Sequence, residues 1–526
     1  MGKCLTEEFN PSPEKLNLKK GWPVFTTKDY LLIAAVVLYI LANVVVGVLA
    51  ARRVKNSTDY IVAGHRLPLY MVIATVFATW FGSETLLGTS STFVSEGMGG
   101  IVADPFGAAL CLILVGLFFA GPLYRLKLLT IGDYYKLRYG RDIEIATSLI
   151  IIISYLGWVA AQFTALGVVF SSISHGLVSQ NTGIYIGAAI VLVYTIFGGM
   201  WSVALTDLIQ MATIAIGLMI ITWVITGQID GGAPAVFQQA ADSGKLNMMP
   251  EASLMGWLGF FGALLTLGFG SIPQQDVFQR AMAANSENNA KRGAVIGGVL
   301  YLLIAMMPIY LAYTAFMIEP VAVKQMLSDS GDPQLVLPTL VMNHTPFIIQ
   351  IIFFGAVLSA IMSTAAATLL APSSMISENI LSRFFAARDE KHKLRFIRGS
   401  VVLFAFFVLL YALNSEKSIF QMVESAYKVV LVGAFVPLAF GLYWQRASHN
   451  GARVAMVSGV GSWLIFEYLE LGNWAMIGLP QAAGVCPPQL AGLIVAVFGM
   501  LIGSLIWPNQ RGMPQPPVPE NSLLTK

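Results

Sequence analysis

Apolar windows about twenty residues long, each enough to cross a bilayer as a helix, recur thirteen times along this chain between short polar runs. They fall at 30–51, 69–95, 101–121, 145–172, 183–200, 204–226, 253–274, 293–317, 347–371, 398–414, 419–444, 453–469 and 488–507. The windows are uniformly apolar rather than alternating, which excludes barrel strands. The pattern predicts an all-α polytopic membrane protein with about 13 transmembrane helices. Residues 1–29 read as an N-terminal tail, 30–507 as a single transmembrane domain, and 508–526, with its Pro514–Pro519 stretch, as a disordered tail. The two longest loops, about 227–252 and 318–346, carry short amphipathic stretches at Ala235–Ala241 and Val321–Leu327.

Composition supports this class. Of 526 residues 56% are hydrophobic and only 11% charged, too little charged surface for a soluble globular chain of this length. The basic residues also set a direction. With the N-terminus outside, cytoplasmic loops collect roughly 22 Lys and Arg, including Arg52, Arg138, Arg280 and Arg395, against 3 outside (Lys245, Lys324, Lys417). The lysines of the N-terminal tail, Lys3 to Lys28, run against this rule. The expectation is a multi-pass protein of the cell (inner) membrane with the N-terminus outside and the C-terminus cytoplasmic. Its partners are the lipid bilayer and a small-molecule solute. The scattered basic residues point to no nucleic acid, and no obligate protein partner is evident. Cys4, Cys111 and Cys486 form no CxxC or Cys/His cluster, and the five histidines are dispersed. No catalytic dyad lies at membrane depth, so the chain reads as no enzyme and needs no organic cofactor.

Four polar interruptions carry the chemistry. The run Thr79-Trp80-Phe81-Gly82-Ser83-Glu84 places a glycine, two hydroxyls and a carboxylate inside the second window, where a charge costs about 2.5–3.5 kcal/mol. In the ninth window Ala360, Ser363 and Thr364 stand at i, i+3 and i+4 and share a helix face. Their oxygens are of the hard type that alkali cations take, although small hydroxyl residues also serve as plain helix-packing devices. Gly198-Gly199 ends one window and Thr206-Asp207 opens the next, where Asp207 is favoured by the helix macrodipole and reads as a cap. Gly268–Asp276 interrupts the seventh window with Gly270, Pro273, Gln274 and Gln275. Interrupted second and seventh windows, five apart, mark the site of a transporter built from inverted repeats.

These motifs resemble the sodium:solute symporter family, which includes sodium-coupled proline, sugar and choline carriers. The similarity spans about residues 30–450. It rests on Ser57–Gly64, on Leu129–Tyr135 and, most specifically, on Gly198–Gln210. The resemblance implies a LeuT-type 5+5 inverted repeat, spans 2–6 against 7–11, with a core at about 69–444 and broken helices 2 and 7. It implies a co-transported sodium ion held by carbonyls of Ala78 and Phe81, by Ala360, and by the hydroxyls of Ser363 and Thr364. Asp207 matches an acid tied to sodium coupling in the family. Around the broken span the motifs are most similar to choline carriers, through Ala78–Gly82, Gly88-Thr89 and Trp158. Gln274 and Ala108, however, stand where those carriers have a tryptophan and a tyrosine, and proline carriers bear an aspartate at Trp80.

The expected solute site comprises Trp80, Gly82, Ser83, Glu84, Trp158, Gln162, Gln274 and Gln275. Two tryptophans suit a cationic group by cation–π attraction. Glu84 has three readings: partner of a cationic solute, carrier of a coupling proton, or ion pair with Lys428, which Glu424 could equally satisfy. The function expected is sodium-coupled import of a small polar solute, an amine or zwitterion, by alternating access. The alternatives are a proton-coupled carrier of the same fold or a transporter-like component of a membrane sensor. The sensor reading needs a cytosolic signalling extension, and about twenty residues follow the last window.

Overall fold

The computed structural model describes residues 26–328, 331–384, 389–470 and 486–508. The tail residues 1–25 and 509–526, which hold Lys3, Lys15, Lys19 and Lys20 and the expected disordered C-terminal segment, lie outside the described residues, while Lys28 lies in the first turn of the helix Thr27–Ala50. Each of the thirteen windows is helical. Numbered in chain order, the spans are α1 (Thr27–Ala50), the bent pair α2a and α2b (Leu69–Trp80 and Glu84–Glu96), α3 (Met98–Arg125) and α4 (Arg141–Ile173). The helix Gln180–Thr226 holds α5 and α6. Next come the bent pair α7a and α7b (Leu254–Gly270 and Gln275–Ala283), α8 (Glu287–Ile318), α9 (Phe347–Ile380) and α10 (Glu390–Asn414). The series ends with α11 (Ile419–Tyr443), α12 (His449–Glu470) and α13 (Pro488–Ile506). By length and hydropathy nine helices among the described residues qualify as spans, and up to eleven when each bent pair is one span. The two others, α5 and α12, are helices that miss that threshold.

Local chemistry sets the boundaries. Thr26 and Asp29 close a reciprocal capping box at the start of α1. The inward face of α1 is Leu32, Val36, Ile40, Asn43 and Gly47, while Leu38, Leu41 and Val45 face outward, as a peripheral membrane helix requires. Gly199 adopts φ 50°, ψ −146°, and a Cβ there would lie 2.5 Å from the Tyr60 carbonyl. α5 and α6 therefore meet at a one-residue hinge rather than at the expected loop. The amphipathic loop stretches are helical too, within Gly232–Asp242 and Pro320–Met326.

The two broken helices are bent by 54° and 46°. The start of α2a and the end of α7b are tied together, since Leu67 N–H donates to Ala283 O and Asn285 N–H donates to Leu67 O, each at 2.9 Å. One expectation from charge is corrected. Arg138 and Arg280, counted as loop cations, are both buried. Arg138 donates to the carbonyls of Gly441 (3.1 Å), Trp444 and Gln445 (3.3 Å each). It thereby satisfies the carbonyl end of α11, where a cation is favoured. Arg280 belongs to the site.

Candidate functional site

The site is built on the break of α2. Trp80 is the last helical residue of α2a, and Phe81 leaves the helix at φ −86°, ψ 72°. A wide turn at Glu84–Gly88 then leads into the second half. Backbone freed in this way needs partners, and α4 supplies one: Ser83 N–H donates to Gln162 Oε1 at 3.0 Å. The same glutamine donates through Nε2 to Glu84 Oε2 at 2.7 Å, and Trp158 Nε1 donates to Glu84 Oε1 at 3.0 Å. Glu84 is buried and forms no ion pair among the described residues.

Lys428 is not its counter-ion. It pairs with Glu424 at 3.9 Å, one turn away on α11, so the ion-pair reading of Glu84 is not the arrangement found.

Aromatic rings adjoin the carboxylate. Trp80 and Trp158 meet at 5.6 Å edge-on, Tyr427 stacks on Trp80 at 6.2 Å and lies 5.5 Å from Trp158, and Tyr155 stacks on Trp158 at 6.0 Å. The indole Nε1 of Trp80 and the hydroxyl of Tyr427 are buried without a hydrogen-bond partner, an arrangement that costs free energy until a ligand or water satisfies it. Tyr427 was not foreseen, because nothing near it in sequence marks it; α11 brings it to the site from 347 residues beyond Trp80.

On the other side of the break, Thr364 Oγ1 donates to the carbonyls of Thr79 (2.8 Å) and Ala78 (3.3 Å). Ser363, one position earlier on α9, donates to Asp207 Oδ1 at 2.6 Å. Ala360 is buried one turn earlier on α9. Asp207 lies well inside α6, past the Gly199 hinge, and also accepts from Thr75 Oγ1. It is therefore no helix cap. Arg280 adjoins this group, donating through Nε to Thr79 Oγ1 (2.8 Å) and to the Thr75 carbonyl (3.2 Å). Gly82 sits between the two halves of the site: a Cβ there would lie 2.9 Å from Thr364 Oγ1 and 2.5 Å from Glu84 Oε2.

The glutamines of the second break part company. Gln274 donates to Ser154 at 2.9 Å, one turn before Trp158, and keeps a buried Oε1 without a partner. Gln275 turns away from the pocket. Its Oε1 accepts from Ile131 N–H at 2.7 Å and its Nε2 donates to Leu129 O at 3.3 Å, so it anchors the start of the helix Ile131–Tyr139. Asp276 is held by Tyr155, whose hydroxyl donates to Oδ1 and accepts from the Asp276 N–H at 2.9 Å. A further carboxylate, Asp104, is buried at a non-helical residue of α3. The sequence did offer a signal for it, since Asp104-Pro105 interrupts the 101–121 window as Glu84 interrupts the second.

Relatives and solved structures bear on this arrangement. The human high affinity choline transporter 1 is 30% identical over 451 residues, covering 82% of this chain and 75% of that protein. The sodium/proline symporter of Escherichia coli is 27% identical over 499 residues, covering 89% and 91%. A solved Na+-coupled sialic acid symporter, in a substrate-bound outward-open state, superposes with a TM-score of 0.75 at 20% identity, covering 94% of this chain and 100% of that one. This shows the LeuT-type fold. The model of the family described as "Sodium:solute symporter family" matches residues 60–459 of the 526, and the chain belongs to that family.

Proposed function

We propose that this transporter imports a small organic amine or zwitterion together with sodium, the cationic group seated between Glu84 and the faces of Trp80, Trp158 and Tyr427. Sodium-coupled movement of a small polar solute follows from the family. The finer assignment rests on one observation: Glu84 is buried, oriented by Trp158 and Gln162, and forms no ion pair with a cation among the described residues. A buried ionised carboxylate needs a positive partner, and aromatic faces favour the same charge. Trp80, Gly82, Ser83, Trp158, Gln162 and Gln274 complete the solute side. Sodium is assigned to Ala78, Phe81, Ala360, Ser363 and Thr364, with Asp207 as the acid that couples to it. The oxygen-only donors and the 2.8–3.3 Å approach of Thr364 to the Ala78 and Thr79 carbonyls support that set.

The deciding experiment is uptake of radiolabelled amines, amino acids and sugars into proteoliposomes with and without a sodium gradient. Uptake of an amine or zwitterion that collapses when potassium replaces sodium is the expected result. Uptake confined to neutral sugars or anions would remove Glu84 from solute recognition. The proposed orientation has the N-terminus outside the cell membrane. An N-terminal tag on intact cells should react with impermeant label, and a C-terminal tag should not.

A further inference from the structure

Asp104 is buried and is the non-helical residue of α3, at φ −133°, ψ 122°. Oxygens from two other helices, α2b and α8, converge on it. Thr85 Oγ1 and Thr89 Oγ1 each donate to Oδ2 at 3.1 Å, and the Tyr301 hydroxyl donates to Oδ1. Thr85 Oγ1 also lies 2.9 Å from the Tyr301 hydroxyl and 3.3 Å from the Trp80 carbonyl. The donors are all hard oxygens with one formal negative charge, the set suited to a small alkali cation. Three hydroxyl protons satisfy lone pairs of a carboxylate without cancelling its charge, and Asp104 has no ion pair among the described residues.

A second observation, independent of these hydrogen bonds, is a small space beside the carboxylate. Asp104 and Glu84 line one cavity of about 10 Å³, close to the minimum room for a single water-sized guest and far too small for an organic amine. Phe420 and Glu424 line this cavity and also a vestibule of about 360 Å³ on the side where α1 begins.

We infer that Asp104, Thr85, Thr89, Tyr301 and the Trp80 carbonyl form a second sodium site, distinct from the one between α2 and α9. The inference rests on the proposed sodium symport and extends it to two ions. Both sites draw on the same break: Ala78 and Thr79 turn their carbonyls to Thr364, and Trp80 turns its carbonyl to Thr85. Two ions would therefore hold one broken helix from opposite sides, with the Asp104 ion next to the Glu84 carboxylate.

Binding of radioactive sodium to the purified full-length chain, without any solute, tests this. The wild type should bind two ions per chain, Asp104→Asn one, and the double variant Ser363→Ala, Thr364→Ala also one. Tyr301→Phe and Thr89→Val each remove one oxygen and keep the carboxylate, so they remain informative should Asp104→Asn fail to fold. Each should weaken one of the two binding phases about tenfold. A wild type that binds one ion, undisturbed in Asp104→Asn, Tyr301→Phe and Thr89→Val, overturns the second site while leaving sodium symport intact. Sodium binding unchanged in Asp104→Asn together with a lost pH dependence would make Asp104 a proton carrier, which also overturns it. Loss of binding in the Asp104 variant, with none in the Ser363 and Thr364 variant, upholds the second site and removes the first.

Discussion

Ser363 Oγ donates to Asp207 Oδ1 across 2.6 Å, joining α9 to α6 beneath the break of α2. The hydroxyl that the family resemblance assigns to sodium is thus already committed to a carboxylate. Thr75 donates to the other oxygen of Asp207, and the Thr75 carbonyl accepts from Arg280 Nε. Ser363, Asp207, Thr75 and Arg280 form one connected group beside the Ala78 and Thr79 carbonyls.

Replacing Ser363 or Thr364 by alanine removes one hard oxygen from a site with few ligands and keeps helix propensity. The sodium concentration needed for half-maximal uptake should rise about tenfold or more, corresponding to about 1.4 kcal/mol or more of lost ion binding. Solute affinity should weaken in step, because linkage between two bound ligands is reciprocal. Uptake measured against sodium concentration checks both, and indifference to replacing sodium by potassium would refute the assignment.

Glu84→Gln keeps the shape of the side chain and removes its charge. A bound amine would lose a charge-assisted hydrogen bond worth roughly 1.5–3 kcal/mol, so solute affinity should fall by one to two orders of magnitude while sodium binding largely persists. Lys428 pairs with Glu424 rather than with Glu84. Adding Lys428→Met to the glutamine variant should therefore restore neither stability nor affinity. Rescue by that second change, read from expression and a thermal melt in detergent, would reinstate the ion pair.

The architecture was legible because a helix at membrane depth must carry its own hydrogen bonds, which leaves long apolar windows and visible interruptions. Glu84, Gly199 and the seventh-span break were readable for the same reason. Partners brought in from distant helices were not. Tyr427 reaches Trp80 from α11, and Tyr301 reaches Asp104 from α8; neither contact leaves a local pattern. Gln275 looked like its neighbour Gln274, and only the packing of α7b against Leu129–Ile131 separates them. Arg138 and Arg280 were counted as loop cations because composition cannot tell a solvated arginine from one that caps buried carbonyls.

Arg138 yields a prediction about stability rather than transport. Its guanidinium serves three carbonyls at the end of α11, and hydrogen bonds from charged groups contribute roughly 1.5–3 kcal/mol each before non-additivity. Arg138→Met should lower the thermal midpoint of the detergent-solubilised protein clearly, and Arg138→Lys should recover only part of it, since an ammonium lacks the planar fork. A melt indistinguishable from wild type in both variants would mean that the carbonyls find other donors.

Gly82→Ala tests whether the ion and solute halves of the site are mechanically one. The glycine Cα lies between Thr364 and Glu84, and an added methyl group would stand 2.9 Å from Thr364 Oγ1 and 2.5 Å and 2.9 Å from the two Glu84 carboxylate oxygens. Both neighbours are side-chain ends that can turn aside, so folding should survive. The hydroxyl would then leave the Ala78 and Thr79 carbonyls, and the carboxylate would leave Trp158 and Gln162. Sodium and solute affinities should both fall, by at least the tenfold expected for losing one contact at each site. Equilibrium binding of sodium alone, beside solute binding at saturating sodium, separates the outcomes. A variant that loses solute affinity with sodium binding unchanged would place Gly82 in the solute pocket only and dissociate it from Thr364.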